Sequence, residues 1–250
     1  MKPNFIRLNA NRHRYLKLME HQGFGYARSF GQSDLMLAEF SRAAVHYPIV
    51  FSEDESGTVR PVVLLSRDGE SNAFVTHEGR WVNTYVPLVI RLHPFAIARL
   101  PERDSLVVCI DINSELLSHD IGVPLFDIHG DPAPALDHAM KQLNEIDAML
   151  LATEDFCRVL KKLNLLAPLT LPDHGGMSIQ GLDSFYAVDE RALDQLGDAA
   201  LCVLRNRGWL IPLYAHRMSL MQIHGLPELA PGHDWVSHHA YRSQPEGVHA

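Results

Sequence analysis

Fifteen histidines among 250 residues are the first feature of this chain with chemical weight. Imidazole binds metals and exchanges protons near neutral pH. In Asp127-Ile128-His129 a carboxylate and an imidazole stand two residues apart, so an extended chain presents both on one face. Such a pair can begin a non-haem iron site if a third ligand such as His216 or His224 joins it. The plainer reading is a loop pair beside Gly130-Asp131-Pro132, bonded to local backbone. His216 and His224 are eight residues apart, close to one helical face but roughly 12 Å apart by helix rise. They share no ion without a helix break, and an ordinary buried or surface role is expected for each. His233, His238 and His239, near Asp234, lie in a polar tail that can collect divalent metal adventitiously.

A second group is Arg80, Trp81 and Tyr85, just after the turn signal Glu78-Gly79. Arginine and aromatic side chains at a pocket rim commonly anchor a partner. The competing expectation, which we favour, packs Trp81 into the core and leaves Arg80 in water, because large aromatics bury most of their area. Arg91, with His93 ahead of Pro94, is a candidate to face an anionic ligand; a solvated helix face is the alternative. Asp111 ends the apolar run Val107 to Ile110, so its carboxylate must cap a strand end, be paired, or belong to a site. Capping is the default. Asp173-His174-Gly175-Gly176 reads as a loop able to close over a ligand, or as an ordinary glycine turn.

These residues carry no standard signature. There is no GxGxxG, no GxxxxGK[ST], no GxSxG and no HExxH, which disfavours nucleotide-dependent, α/β-hydrolase and zincin chemistry. A site assembled from distant segments stays open, and no cofactor is assigned. The net charge of -8 opposes general affinity for nucleic acid or anionic lipid. No apolar run approaches the roughly 20 residues of a membrane span, so no membrane insertion is expected. Met1 to Asn11 lacks a secretory apolar region. The cysteines, Cys109, Cys157 and Cys202, are odd in number and widely spaced. They suggest neither a thiolate metal site nor a disulfide framework, and a reducing cytoplasm is the expected compartment.

The positioning elements follow from periodicity and punctuation. Ser33 or Asp34 is expected to cap a helix through Leu37, Phe40 and Ala44. Tyr47 to Phe51 reads as a strand opened by Pro48, Pro61 to Leu65 and Ala73 to Thr76 as further strands, and Tyr85 to Leu92 as a short helix ended by Pro94. Leu106 to Ile112 is a strand whose continuous apolar character implies cover on both faces. From Pro132 to Leu166 apolar residues recur at three- and four-residue steps. One long helix capped by Asp131, or two with a break near Thr153, both fit. Met177 to Ile179 and Phe185 to Val188 are strand candidates. Asp189 caps a helix through Leu196, and a last helix covers Trp209 to Ile223 with Leu213, Leu220 and Ile223 facing the core. The expected fold class is α+β, a β-rich N-terminal half packed with a helical C-terminal half. One domain over 1–226 and a polar tail over 227–250 is the expected organisation.

Several strings, in this order and spacing, carry a family resemblance. They include Leu8-Asn9 with Arg12-His13, Glu39-Phe40 before Tyr47-Pro48-Ile49-Val50-Phe51, and Gly79-Arg80-Trp81 leading to Tyr85-Val86-Pro87. Further along come Arg91 with Pro94-Phe95, Gly181-Leu182, Val188-Asp189-Glu190, and Tyr214-Ala215-His216 with Ser219-Leu220. Together they resemble the SapC family over roughly residues 5–226. The resemblance implies a bacterial protein associated with surface-layer protein export, and it brings no catalytic motif. The leading expectation is therefore a non-catalytic accessory or binding protein whose partner is a surface or export protein. The alternative is an enzyme of unrecognised type, metal-assisted through Asp127, His129 and His216. Oligomeric state is left open.

Overall fold

The computed structural model describes residues 3–20, 23–67, 69–100, 105–170 and 184–226. In chain order the first part holds β1 (Phe5–Arg7), α1 (Ala10–His13), β2 (Lys17–Leu18), β3 (Gln32–Asp34), α2 (Phe40–Ala43), β4 (Ile49–Glu53) and β5 (Val59–Leu64). Next come α3 (Leu88–Arg91), β6 (Phe95–Leu100), β7 (Ser105–Asp111), β8 (Leu117–Ser118) and β9 (Val123–Pro124). The second part is mostly helical: α4 (Pro134–Lys162), β10 (Leu166–Pro168), β11 (Phe185–Val188), α5 (Glu190–Asp194), α6 (Asp198–Asn206) and α7 (Leu210–Ser219). The fold class is α+β, as the sequence implies.

An antiparallel five-stranded sheet runs β10-β11-β4-β5-β3. Side chains alternate across it. Ile49, Phe51 and Val63 pack with Phe40, Phe156, Leu160 and Leu213 on one face. Val50, Val62 and Leu64 pack with Phe185, Leu169 and Ile223 on the other. Burial of both faces is why these strands read as unbroken apolar runs. Pro61 is tolerated inside β5 because its carbonyl accepts from Leu35 N on the β3 side. Its nitrogen therefore faces beyond Asp34, where β3 has already ended, and no ladder bond is lost.

A second antiparallel sheet has the order β1-β7-β6. Ile110, Phe95 and Ile97 pack against Leu136, Leu143 and Ile146 of α4. Ala96, Ala98, Val107 and Cys109 form a buried cluster among themselves, so β7 is covered on both faces, as its composition predicts. All three cysteines are free, and Cys109 and Cys157 are buried.

Helix α4 ties the two sheets together. Its first half lies in the cluster of the three-stranded sheet, and Phe156, Cys157 and Leu160 of its second half lie in the cluster of the five-stranded one. The helix is continuous. Thr153, where a break was an option, donates its hydroxyl to Met149 O at 2.7 Å and accepts from Leu37 N at 2.9 Å, so it is satisfied without interrupting the ladder. The helix starts at Pro134 with Ala133 as N-cap, not at Asp131. Asp131 N instead donates to Asp127 Oδ1 in the preceding turn, and Pro134 supplies the favourable first-turn proline.

Other expectations need correction. Ser33 and Asp34 belong to β3, and the helix after them is reduced to a 3-10 turn at Leu37–Glu39 followed by α2. Ala73 to Thr76 makes only one bridge, Val75 to Trp81. Strand β6, which follows directly on Pro94, and helix α6 are not legible in the sequence. Leu213 and Ile223 are fully buried, whereas Leu220 is only partly so. Met177 to Ile179, the Asp173 loop and the tail from 227 onward, with its histidines, lie outside the described residues. No helix among the described residues is long and apolar enough to cross a membrane.

Candidate functional site

Two clefts adjoin each other beside a miniature sheet of order β8-β2-β9. Lys17 and Leu18 pair with Ser118 and Leu117 on one side and with Pro124 and Val123 on the other. The wall continues past the sheet, where Met19 N donates to Leu116 O at 2.9 Å. Met19, Glu20, Leu116 and Gly122 line both clefts. Gly122 has φ +109°, and a Cβ there would lie 2.4 Å from Leu18 O, so the wall closes at this point only around glycine. On the far side Gly23 (φ +108°) is pressed against Gly79 in the same way, with a Cβ meeting Gly79 O at 2.6 Å.

The first cleft, about 720 Å³, is lined by Tyr26 and Arg28 together with Glu20, Glu78 and Glu115. The second, about 590 Å³, has an apolar floor including Leu92, Phe95 and Ala139, and carries Arg91, His93, His138 and Gln142. The two therefore differ in electrostatic character. Carboxylates dominate one, and guanidinium and imidazole groups dominate the other.

Between them sits a fixed histidine. The Tyr26 ring, in the first cleft, stacks on the His93 ring, in the second, with centroids 4.5 Å apart and an interplanar angle of 13°. Tyr26 OH donates to Ile90 O at 2.8 Å, and burial pushes its phenol well above the ordinary range. His93 Nε2 lies 2.8 Å from Ser114 Oγ and 3.7 Å from Asp111 Oδ2. Asp111 Oδ1 accepts from Asn4 N at 2.7 Å and from Asn113 N at 3.1 Å. Asp111 thus caps the end of β7 and also approaches the histidine. Serine and aspartate meet the same ring nitrogen, so the three do not form a relay in which aspartate orients one nitrogen while the other activates serine. Their arrangement orients the imidazole.

Tyr85 and Arg91 act on a carboxylate the sequence did not single out, and Trp81 joins the group through Tyr85. Glu39 is 5% exposed. Its Oε2 accepts from Met36 N at 2.8 Å, while Oε1 accepts from Leu88 N at 2.8 Å and from Tyr85 OH. Burial raises its carboxyl above the ordinary range against the opposing pull of those bonds and of Arg91. Trp81 Nε1 donates to Tyr47 OH at 2.8 Å and to Tyr85 O at 3.1 Å, and Tyr47 OH donates to Tyr85 O. Burial raises the Tyr47 phenol to about 12. Trp81 packs against the main core with Tyr85, whereas Arg80 is 79% exposed and pairs with Glu78 at 3.9 Å. Arg91 Nε donates to Val86 O at 3.1 Å, which holds its guanidinium at the rim of the second cleft.

The candidate metal ligands are placed apart in role. Asp127 Oδ1 accepts from His129 N at 2.8 Å and from Asp131 N at 2.9 Å, and these backbone bonds hold its carboxyl below the usual carboxylate range. This is the local turn of the plainer reading. His216 is wholly buried; its Nε2 accepts from Val188 N at 3.0 Å, and its Nδ1 donates to Ile49 O at 2.9 Å. Both ring nitrogens are thereby used in bridging β11 to β4. Among the described residues no three His, Cys, Asp or Glu side chains gather in a metal-holding group.

A comparison with protein-family models matches SapC over residues 8–226. The chain belongs to the SapC family. No curated protein and no solved structure matches it. The matched span takes in both clefts and every strand of the two sheets except β1, which ends just before it. Within this SapC chain, Arg91 and Asp111 were legible as candidates, and His93 was noted only for its place before Pro94. Met19, Glu20, Glu78, Glu115 and His138 were not singled out. They come from four separate segments, and isolated residues of these types carry no sequence signal of convergence.

Proposed function

We propose that this SapC-family chain is a non-catalytic binding protein that works from the cytoplasm with the export or modification of bacterial surface-layer or outer-surface proteins. It does so by holding a polypeptide partner in the paired clefts. The observation that carries the reading is that two open clefts share one wall, Met19, Glu20, Leu116 and Gly122, around a preformed Tyr26–His93 partition. A preorganised, partly apolar trough with few convergent polar groups is suited to binding, because little ordering is needed on association. The resemblance to SapC supplies the surface-protein context.

The test is quantitative co-purification from native cells of the intact chain and of a Met19→Glu variant. Met19 lines both clefts and is only partly buried, so the charge enters the trough without entering the core. The same protein partner should be recovered with the intact chain and lost with the variant. Equal recovery with both would refute binding in the clefts.

A further inference from the structure

The opposite characters of the two clefts specify the kind of polypeptide segment that fits them. We infer that the trough takes the carboxyl-terminal end of a partner chain, with an apolar last residue in the second cleft and basic residues upstream in the first. This rests on the binding reading above and adds to it the chemistry and polarity of the ligand.

The second cleft combines an apolar floor, Leu92, Phe95 and Ala139, with a guanidinium at Arg91 and imidazoles at His93 and His138, against the single carboxylate of the shared Glu20. An apolar residue bearing a free carboxylate satisfies both parts: the side chain is removed from water on the floor, and the carboxylate meets a guanidinium fork, the preferred planar partner for that group. The guanidinium is positioned by its Nε bond to Val86 O, and the imidazole by the Tyr26 stack and Ser114. Both are set before any ligand arrives. The first cleft carries Glu20, Glu78 and Glu115 against Arg28, whose guanidinium is already committed to His77 O. Glu78 is paired only loosely with Arg80, at 3.9 Å, so with Glu20 and Glu115 the cleft keeps a surplus of carboxylates that favours lysine or arginine. Both clefts share the Met19–Glu20 wall, so a chain lying over that wall places its end in one and its upstream residues in the other. Reversed placement would set the terminal carboxylate against Glu78 and Glu115, and like charges close together are a strong selector against the wrong orientation.

Fluorescence anisotropy with the full chain tests this, using labelled decapeptides that end in leucine and carry a Lys-Arg pair upstream. The free-acid peptide should bind about tenfold or more tightly than its carboxamide. A peptide with Glu-Asp in place of Lys-Arg should bind more weakly than the basic one. Arg91→Gln should erase the acid–amide difference, and the exposed His138→Ala should reduce it. Glu78→Gln combined with Glu115→Gln should erase the preference for the basic peptide and leave the acid–amide difference intact. Unchanged thermal melts establish that each variant is folded.

Equal affinity for acid and amide overturns the inference, and so does equal affinity for basic and acidic peptides. If N-acetylleucine alone binds as tightly as the peptide, the site is one for small carboxylates and the peptide assignment falls. If no peptide binds while native co-purification remains sensitive to Met19→Glu, this inference fails and the binding reading survives. If both fail, the clefts are not the site.

Discussion

Tyr26 and His93 stack face to face at 4.5 Å, yet each lines a different cleft. One aromatic pair is thus the common boundary of both, and it is braced from behind by Ser114 and by the cap that Asp111 makes at the end of β7. The partition of the trough follows from where β7 ends and α3 turns, while its outer wall is set by the close approaches at Gly122 and at Gly23.

The brace can be tested by removing it without touching the wall. Ser114→Ala deletes the hydroxyl that meets His93 Nε2 and that also accepts from Leu116 N at 3.2 Å. Loss of a buried hydrogen-bond partner should cost about 1–3 kcal/mol of stability. Chemical denaturation measures this, and NMR of the imidazole protons should report a more mobile ring. A change below about 0.5 kcal/mol with an unaltered imidazole would mean that Ser114 braces nothing.

His216 predicts a pH dependence. Burial holds its pKa at about 4, below the ordinary 6.5, so the folded chain binds its proton less readily than the unfolded chain. The stability from neutral His216 is complete above pH 6.5 and is lost as the pH falls through about 4. The difference in pKa corresponds to about 3 kcal/mol. Denaturation of the intact chain and of His216→Gln, compared across pH 7.5 to 4, isolates this group from other titrations. The gap between the two should narrow as the pH falls. A constant gap contradicts a buried neutral imidazole bridging Ile49 O and Val188 N.

Glu39 and Tyr85 should act as a unit. Tyr85→Phe leaves a buried carboxylate without one donor and should cost about 1.5–3 kcal/mol, as for other hydrogen bonds to charged groups. Glu39→Gln should cost a similar amount. In a double-mutant cycle the two losses should be less than additive, with coupling above about 0.5 kcal/mol. Strict additivity would break the network. Arg80→Ala, on a 79% exposed side chain, should stay within about 0.5 kcal/mol.

Helix α4 links the two main cores, so disturbing either end should be felt by the whole. Leu143 and Phe156 are fully buried in different clusters. Leu143→Ala should cost about 2–5 kcal/mol and Phe156→Ala about 3–5 kcal/mol. Each should shift one shared unfolding transition, seen by calorimetry and by circular dichroism. Two separable transitions would show that the sheets unfold independently.

The legible parts of the fold are those whose signal is local. The continuous apolar run of β7 and the three- and four-residue recurrence along α4 each need only a short window to be read. The burial of Asp111 follows from its place at the end of that run. What faces it does not: Asn4 lies 107 residues away, and His93 belongs to a different element. His216 illustrates the same limit. As one residue among fifteen histidines it reads as a candidate ligand, and its backbone partners, Ile49 and Val188, are 167 and 28 residues distant. The metal set Asp127, His129 and His216 rests on residue type alone, whereas the clefts depend on convergence of short segments that have no periodicity of their own.

The most direct measurement is site-specific photo-crosslinking in native cells, with a photoreactive side chain at position 19 or at position 211. Met19 lines both clefts, whereas Ile211 is 69% exposed on α7 and lines neither. The account predicts a discrete protein adduct at position 19 whose cross-linked peptide maps to the partner's carboxyl terminus, with none at position 211. Adducts only at 211, or none from 19 under conditions where the partner co-purifies, would contradict it.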